Sequence, residues 1–204
     1  MSDRSDSLLA VRVWGDYACW TRPEMKVERV TYPIMTPTGA RGVLEAIFWK
    51  PEFSWRIHEV DVLKPVQYLS LTRNEVSQRA SPTVPSIEIT QARTQRHALV
   101  LRDVAYVIRA QIVLRPHATD DVAKYRDQFR RRIERGACAH RPYLGTREFP
   151  AFFAPPTPAE QPGGGDLHIG PMIADVDYSG GGGSSMFDAE MVGGTVKFPL
   201  KEPA

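Results

Sequence analysis

The stretch "DDVAKYRDQFRRRIERG", Asp120 to Gly136, gathers chemistry more densely than any other part of the chain. From Val122 to Arg135 it holds six basic residues, Lys124, Arg126, Arg130, Arg131, Arg132 and Arg135, against two acids, Asp127 and Glu134. Two acids cannot neutralise six bases, so the segment is suited to face a polyanion. The bland alternative is a solvated helix face with pairs such as Arg130–Glu134 and Arg131–Asp127. On a helical wheel Val122, Phe129 and Ile133 share one side with Tyr125 at its margin, and Lys124, Arg131 and Arg135 fall opposite. His117 precedes the helix and His140 follows it, so both could approach a bound phosphodiester. His58 and His97 flank expected strands and read as structural.

Further arginines stand at expected loop positions: Arg22, Arg41, Arg73, Arg79, Arg141 and Arg147. Tyr17, Trp20, Tyr68 and Tyr143 are interleaved with them, a pattern that suits single-stranded RNA, phosphates neutralised and bases stacked. No tight metal-ligand spacing joins the five histidines. No nucleophile elbow or paired-carboxylate pattern stands out. The glycine runs "PGGGD" and "SGGGGSS" lack the Lys-Ser/Thr of a phosphate loop and read as linkers. Cys19 and Cys138 lie too far apart in sequence for a C-x-x-C site.

The elements that must position these groups are readable in outline. "LLAVRVWGDYACW" alternates as a strand and is expected to break at Gly15-Asp16. Thr36 can cap a helix with Pro37 at its first position, and Ala40, Val43, Leu44 and Ile47 form its apolar face until Pro51 forbids continuation. "SWRIHEVDVLKPVQYLSL" reads as a strand pair or one bent strand. Thr72 to Thr94 is expected to be a long loop or a hairpin. Two strands follow, Ala98 to Leu101 and Ala105 to Leu114. The basic helix comes next, with acids at its start, arginines near its end and Gly136 as its stop. The last third is expected to form a small loop-rich sheet.

With 204 residues, 42% of them hydrophobic, the chain can bury one compact core. The formal net charge of +2 gives no global case for nucleic acid, so the case rests on where the charges sit. No apolar run approaches the roughly 18 to 20 residues of a membrane span. The amino terminus is charged, unlike a signal peptide, and a cytoplasmic location without membrane contact is expected.

The ordered motifs carry a resemblance. "VWGDYACWTRPEMKVERVTYPIMTPTGARGVLEAIFWKPEFSWRIHEVDVLKPVQYLSLTRNEV" closely resembles the amino-terminal half of the CRISPR-associated Cas-five family, type I-C (Dvulg) subtype. "AKYRDQFRRRIERG" with "HRPYLGTREF" is similar to its second signature region, and "IGPMIADVDY" and "MVGGTVKFP" to its weaker carboxy-terminal motifs. The resemblance implies an α+β protein: a ferredoxin-like, RNA-recognition-motif-type domain over 8–150 and a smaller β-rich part over 151–204. It also implies binding of the repeat hairpin of the CRISPR transcript and metal-free cleavage by the adjacent 2′-hydroxyl, with no cofactor. The protein would then stay on the 5′ handle of the guide RNA, beside Cas-seven and Cas-eight type subunits. Read from its charge alone, the basic helix could also bind duplex DNA without sequence preference.

Mapped onto this sequence, the family's catalytic positions are Phe48, where other members carry a tyrosine in a Tyr-Trp-Lys-Pro run, and Lys124-Tyr125, where they carry Lys-His. Lys124 is retained and two positions are substituted. Lys124, Tyr125 and His117 are the expected catalytic groups, with His140 as an alternative for proton transfer. Arg41, Arg73, Arg131, Arg135 and Arg141 are the expected RNA-binding residues. The competing reading is a non-catalytic subunit that caps the guide's 5′ end.

Overall fold

A computed structural model of the chain describes residues 8–25, 27–79, 81–83, 86–176 and 183–200. The elements run β1 (Leu9–Ala18), β2 (Arg29–Val30), α1 (Pro37–Ile47), β3 (Phe53–Val62), β4 (Tyr68–Val76), α2 (Ile89–Ala92), β5 (Arg93–Leu114), α3 (Val122–Arg135), β6 (Phe152–Ala154), β7 (Leu167–Val176), β8 (Ser184–Met191) and β9 (Thr195–Lys197). The architecture is α+β. Seven strands make one sheet in the order β6-β1-β5-β3-β9, with β2 and β4 also paired to β5. All pairings in it are antiparallel except β2 with β5.

Alternation decides which face of the sheet is covered. Val11 and Val13 of β1, Phe53, Trp55 and Ile57 of β3, and Tyr106, Ile108 and Ala110 of β5 are buried. They form one core cluster with Val43, Leu44 and Ile47 of α1 and Tyr125, Phe129 and Ile133 of α3. Both helices therefore pack on the same core, which brings the end of α1 against α3.

The two helix starts follow their sequence signals. Thr36 Oγ1 accepts the Gly39 N–H at 3.1 Å, and Pro37 opens α1. Asp121 caps α3 by accepting the Ala123 N–H at 3.3 Å. Gly136 ends α3 at φ +63°, a left-handed position that suits glycine.

The strands differ more from expectation. β1 runs through Gly15 instead of breaking there. A Cβ at Gly15 would stand 2.7 Å from Leu144 Cδ1 and 2.9 Å from the Pro150 carbonyl oxygen, so this glycine serves close approach, not a turn. The two strands expected between Ala98 and Leu114 are one 22-residue strand. Its irregular point is Asp103 at φ +51°, a conformation a short polar side chain tolerates, where Lys64 Nζ donates to Asp103 Oδ1 at 2.6 Å. β3 and β4 are separate strands, each paired to β5. The Thr72–Thr94 segment is a hairpin: β4 pairs with β5 out to Val76–Arg93, and α2 lies in the connection.

Residues after 150 return to the main sheet twice, β6 against β1 and β9 against β3, while β7 and β8 pair only with each other. "PGGGD" is not a free linker. The Gly163 N–H donates to Val62 O at 2.8 Å, and a Cβ at Gly164 would stand 3.2 Å from Val62 Cβ. Of "SGGGGSS", 179–182 lie outside the described residues.

Candidate active site

The site is built where α1 runs out. Phe48 leaves the helical conformation at φ −151°, three residues before Pro51, and its N–H donates to Leu44 O at 2.8 Å. The carbonyls beyond the last helical turn need donors from elsewhere. The Ala46 oxygen accepts Ala139 N–H at 2.9 Å and His140 N–H at 3.2 Å. The Ile47 oxygen accepts Arg132 Nη1 at 3.1 Å. The Phe48 oxygen accepts Trp55 Nε1 at 2.9 Å. The end of α1 is thus tied to α3, to the segment after it and to β3.

Tyr125 stands at the centre of this junction and not at the margin of the helix face. It is fully buried, its ring 5.3 Å from that of Phe53, which lies 5.3 Å from that of Phe48. Lys50 Nζ sits over the Tyr125 ring, 5.5 Å from its centroid. The phenol hydroxyl is buried without a hydrogen-bond partner. Burial, then the negative charges of Glu52 and Asp120, push its pKa up against an opposing pull from Lys124. The phenol is therefore held neutral, and it can donate a proton but is a poor base.

Lys124 is exposed and bonded to both oxygens of Asp120, at 2.8 and 2.9 Å. That hydrogen bond pushes its pKa up and keeps it cationic. His117 Nε2 lies 3.0 Å from the Pro51 carbonyl oxygen. A carbonyl only accepts, so Nε2 carries the hydrogen and Nδ1 is the nitrogen left to exchange a proton. Tyr125 thus reaches Phe48 through Phe53, Lys124 lies within electrostatic reach of the phenol, and His117 is tied to the main chain of Pro51 just beyond the end of α1.

The expected RNA-binding arginines are spread wider. Arg131 and Arg135 are exposed on α3, and neither forms an ion pair among the described residues. The anticipated pairs Arg130–Glu134 and Arg131–Asp127 do not form; Arg130 binds Asp127 at 3.3 Å instead. Arg41 is near the other end of α1, 2.7 Å from Asp175 of β7. Arg73 bridges Glu75 at 2.6 Å and Glu148 at 2.9 Å and is mostly covered. Arg141 lies over the Phe152 ring, 6.0 Å from its centroid. A cavity of about 320 Å³ opens beside the start of α1, lined by Trp20, Thr36, Gly39, Tyr143 and Gly145 among others.

Sequence reasoning gives no site role to Lys50 or Glu52 and counts Arg132 only among the basic residues of α3. Lys50 lies over the Tyr125 ring, Arg132 over that of Phe48, and Glu52 is within electrostatic reach of Tyr125. The available signal is the run "FWKPE", charged groups placed directly after a helix end. Among the described residues no group of three or more His, Cys, Asp or Glu side chains converges, and no helix is long and apolar enough to cross a membrane.

A family model described as CRISPR-associated protein (Cas_Cas5) matches residues 8–182. The chain belongs to the Cas5 family. A relative from Thermus thermophilus, named CRISPR pre-crRNA endoribonuclease Cas5d, is 53% identical over 170 residues, covering 83% of this chain and 73% of the relative. A second protein of that name, from Mannheimia succiniciproducens, is 40% identical over 212 residues and covers 94% of each chain. A solved structure described as a CRISPR-associated protein superposes with a TM-score of 0.71 at 22% identity, covering 95% of this Cas5 chain and 92% of its own, which establishes a shared fold.

Proposed function

We propose that this Cas5 chain is a pre-crRNA endoribonuclease that binds the hairpin of the CRISPR repeat transcript and cleaves it by 2′-hydroxyl attack without metal. The observation that supports the reading is an α3 face whose exposed Arg131 and Arg135 have no carboxylate partner among the described residues, on the helix that carries Lys124 and Tyr125, with His117 bound to the Pro51 carbonyl where α1 gives way to β3. Arg131 and Arg135 hold phosphates. Arg41, Arg73 and Arg141 engage RNA at the cost of exchanging Asp175, Glu75 and Glu148, or Phe152, for it. Lys124 supplies positive charge to the scissile phosphate, and His117 returns a proton to the departing 5′-oxygen. Tyr125, neutral and enclosed, packs α3 against Phe53 beneath Lys124.

The order β6-β1-β5-β3 with α1 and α3 on one core supports a ferredoxin-like reading, to which β7, β8 and β9 add the β-rich carboxy-terminal part. After cleavage the protein stays on the 5′ handle of the guide, beside Cas-seven and Cas-eight type subunits in the cytoplasm, and its basic face also attracts duplex DNA without sequence preference.

The test is cleavage of the cognate repeat RNA in chelator, with and without a 2′-deoxy substitution at the scissile position. Cleavage that the deoxy substitution blocks is expected. A second reading, a guide-capping subunit without activity, is favoured by the buried, unpartnered Tyr125 hydroxyl and by Phe48. Tight binding without cleavage would establish it.

A further inference from the structure

Attack by a 2′-hydroxyl needs a group that takes its proton, and the expected catalytic residues supply this poorly. The Lys124 ammonium has no lone pair to offer, and the Tyr125 phenol is neutral and enclosed. His117 can take a proton or give one, and the departing 5′-oxygen also needs one. A carboxylate would complete the set. Asp120 is occupied by Lys124 through both its oxygens.

Glu52 is not occupied. It follows Pro51 in the turn between α1 and β3, and its Oε2 is buried with no hydrogen-bond partner. It forms no ion pair among the described residues, and as a whole it is only partly buried. Its main chain is fixed on both sides: the Pro51 oxygen bonds His117 Nε2 at 3.0 Å, and Glu52's own carbonyl accepts the Arg115 N–H at 2.9 Å. Its negative charge helps push the Tyr125 pKa up, so the two groups are within electrostatic reach of each other. A buried carboxylate oxygen with nothing bonded to it is costly and calls for an explanation, a catalytic role among them.

We infer that Glu52 is the general base of the cleavage, an inference that rests on the endoribonuclease reading above. The 2′-oxygen bonds to phosphorus as its proton passes to the Glu52 carboxylate. The bond from phosphorus to the 5′-oxygen breaks, and that oxygen takes the Nδ1 proton of a His117 that enters the step as imidazolium and leaves it neutral, with its remaining hydrogen on Nε2. The products are a 2′,3′-cyclic phosphate and a 5′-hydroxyl. Lys50, over the Tyr125 ring and without a carboxylate partner among the described residues, stands beside the negative charge that builds on the phosphorane.

The experiment measures single-turnover cleavage and binding of the repeat RNA by wild type, Glu52→Gln and His117→Ala. Each is tested on normal RNA and on RNA with sulfur replacing the 5′-bridging oxygen at the scissile bond. A sulfur leaving group departs without a proton, so it repairs the loss of an acid and not of a base. Glu52→Gln is expected to bind within about threefold of wild type and to cleave about 100-fold or more slowly on both RNAs. His117→Ala is expected to regain rate on the sulfur substrate. Glu52→Gln cleaving like wild type overturns the inference. So does rescue by sulfur, which would put Glu52 on the acid side, and so does a loss confined to binding. Wild type that binds and does not cleave overturns the endoribonuclease reading along with it.

Discussion

Arg132 of α3 reaches the end of α1, where Nη1 lies 3.1 Å from the Ile47 carbonyl oxygen and the guanidinium carbon lies 5.3 Å from the Phe48 ring centroid. One side chain thus satisfies a helix-end carbonyl and covers the residue that occupies the family's tyrosine position. Arg132→Ala is expected to cost about 1–3 kcal/mol, from a buried acceptor left unpaired and a lost cation–π contact. Chemical denaturation measures this, and an unchanged midpoint would return Arg132 to the solvated face.

Tyr125→Phe removes a hydroxyl that is buried and bonded to nothing. Stability is expected to hold or rise slightly, since no hydrogen bond is lost. Cleavage is expected to stay within a few-fold of wild type. Loss of cleavage with intact folding would make the phenol a proton donor after all.

Arg131 and Arg135 are the exposed cations on which α3's affinity for phosphates should depend. Replacing both with Gln is expected to lower the slope of log K against log salt by about 1.5, the loss of two phosphate contacts. Fluorescence anisotropy with the repeat RNA across a salt series gives the slope. An unaltered slope assigns binding to other residues.

Glu45 on α1 has its pKa raised by burial, which Arg41 and Arg115 only partly offset. A folded-state pKa above the unfolded value means that folding favours the protonated carboxyl. The associated stability is fully present below the unfolded pKa and is lost as pH rises through the folded one. Glu45→Gln is therefore expected to melt higher than wild type at neutral pH, with the difference closing in acid. Parallel thermal melts at pH 4 and pH 7 check the sign.

Gly145 holds φ +87°, and a Cβ there would stand 1.9 Å from the Cys19 carbonyl oxygen. Gly145→Ala is expected to cost on the order of 3 kcal/mol through combined strain and overlap. Thermal denaturation measures the loss, and an unchanged melting temperature would show that the Cys19 backbone gives way to the new methyl group.

What is legible in the sequence is what local chemistry decides. Thr36, Pro37, Asp121 and Gly136 mark both helices because caps act within one turn of chain. Gly15 reads as a turn in the sequence because the atoms that require a glycine there belong to Leu144 and Pro150, far along the chain. A helical wheel puts Tyr125 at the margin because it knows nothing of Phe53 and Phe48, which close over that ring. Glu52 carries no motif of its own. Only the fold brings it within electrostatic reach of Tyr125, on a helix that forms much later in the chain.

The 22-residue β5 has two different neighbourhoods along its length. From Tyr106 to Ala110 it is paired with β1 on one side and with β3 on the other. From Arg93 to Gln95 its strand partner is β4 alone. Backbone amides in the first stretch can exchange with deuterium only when the core itself comes apart. Those in the second are released by opening one hairpin, a far smaller event. A single continuous strand should therefore record two clocks, slow at the end nearer the site and fast at the hairpin end.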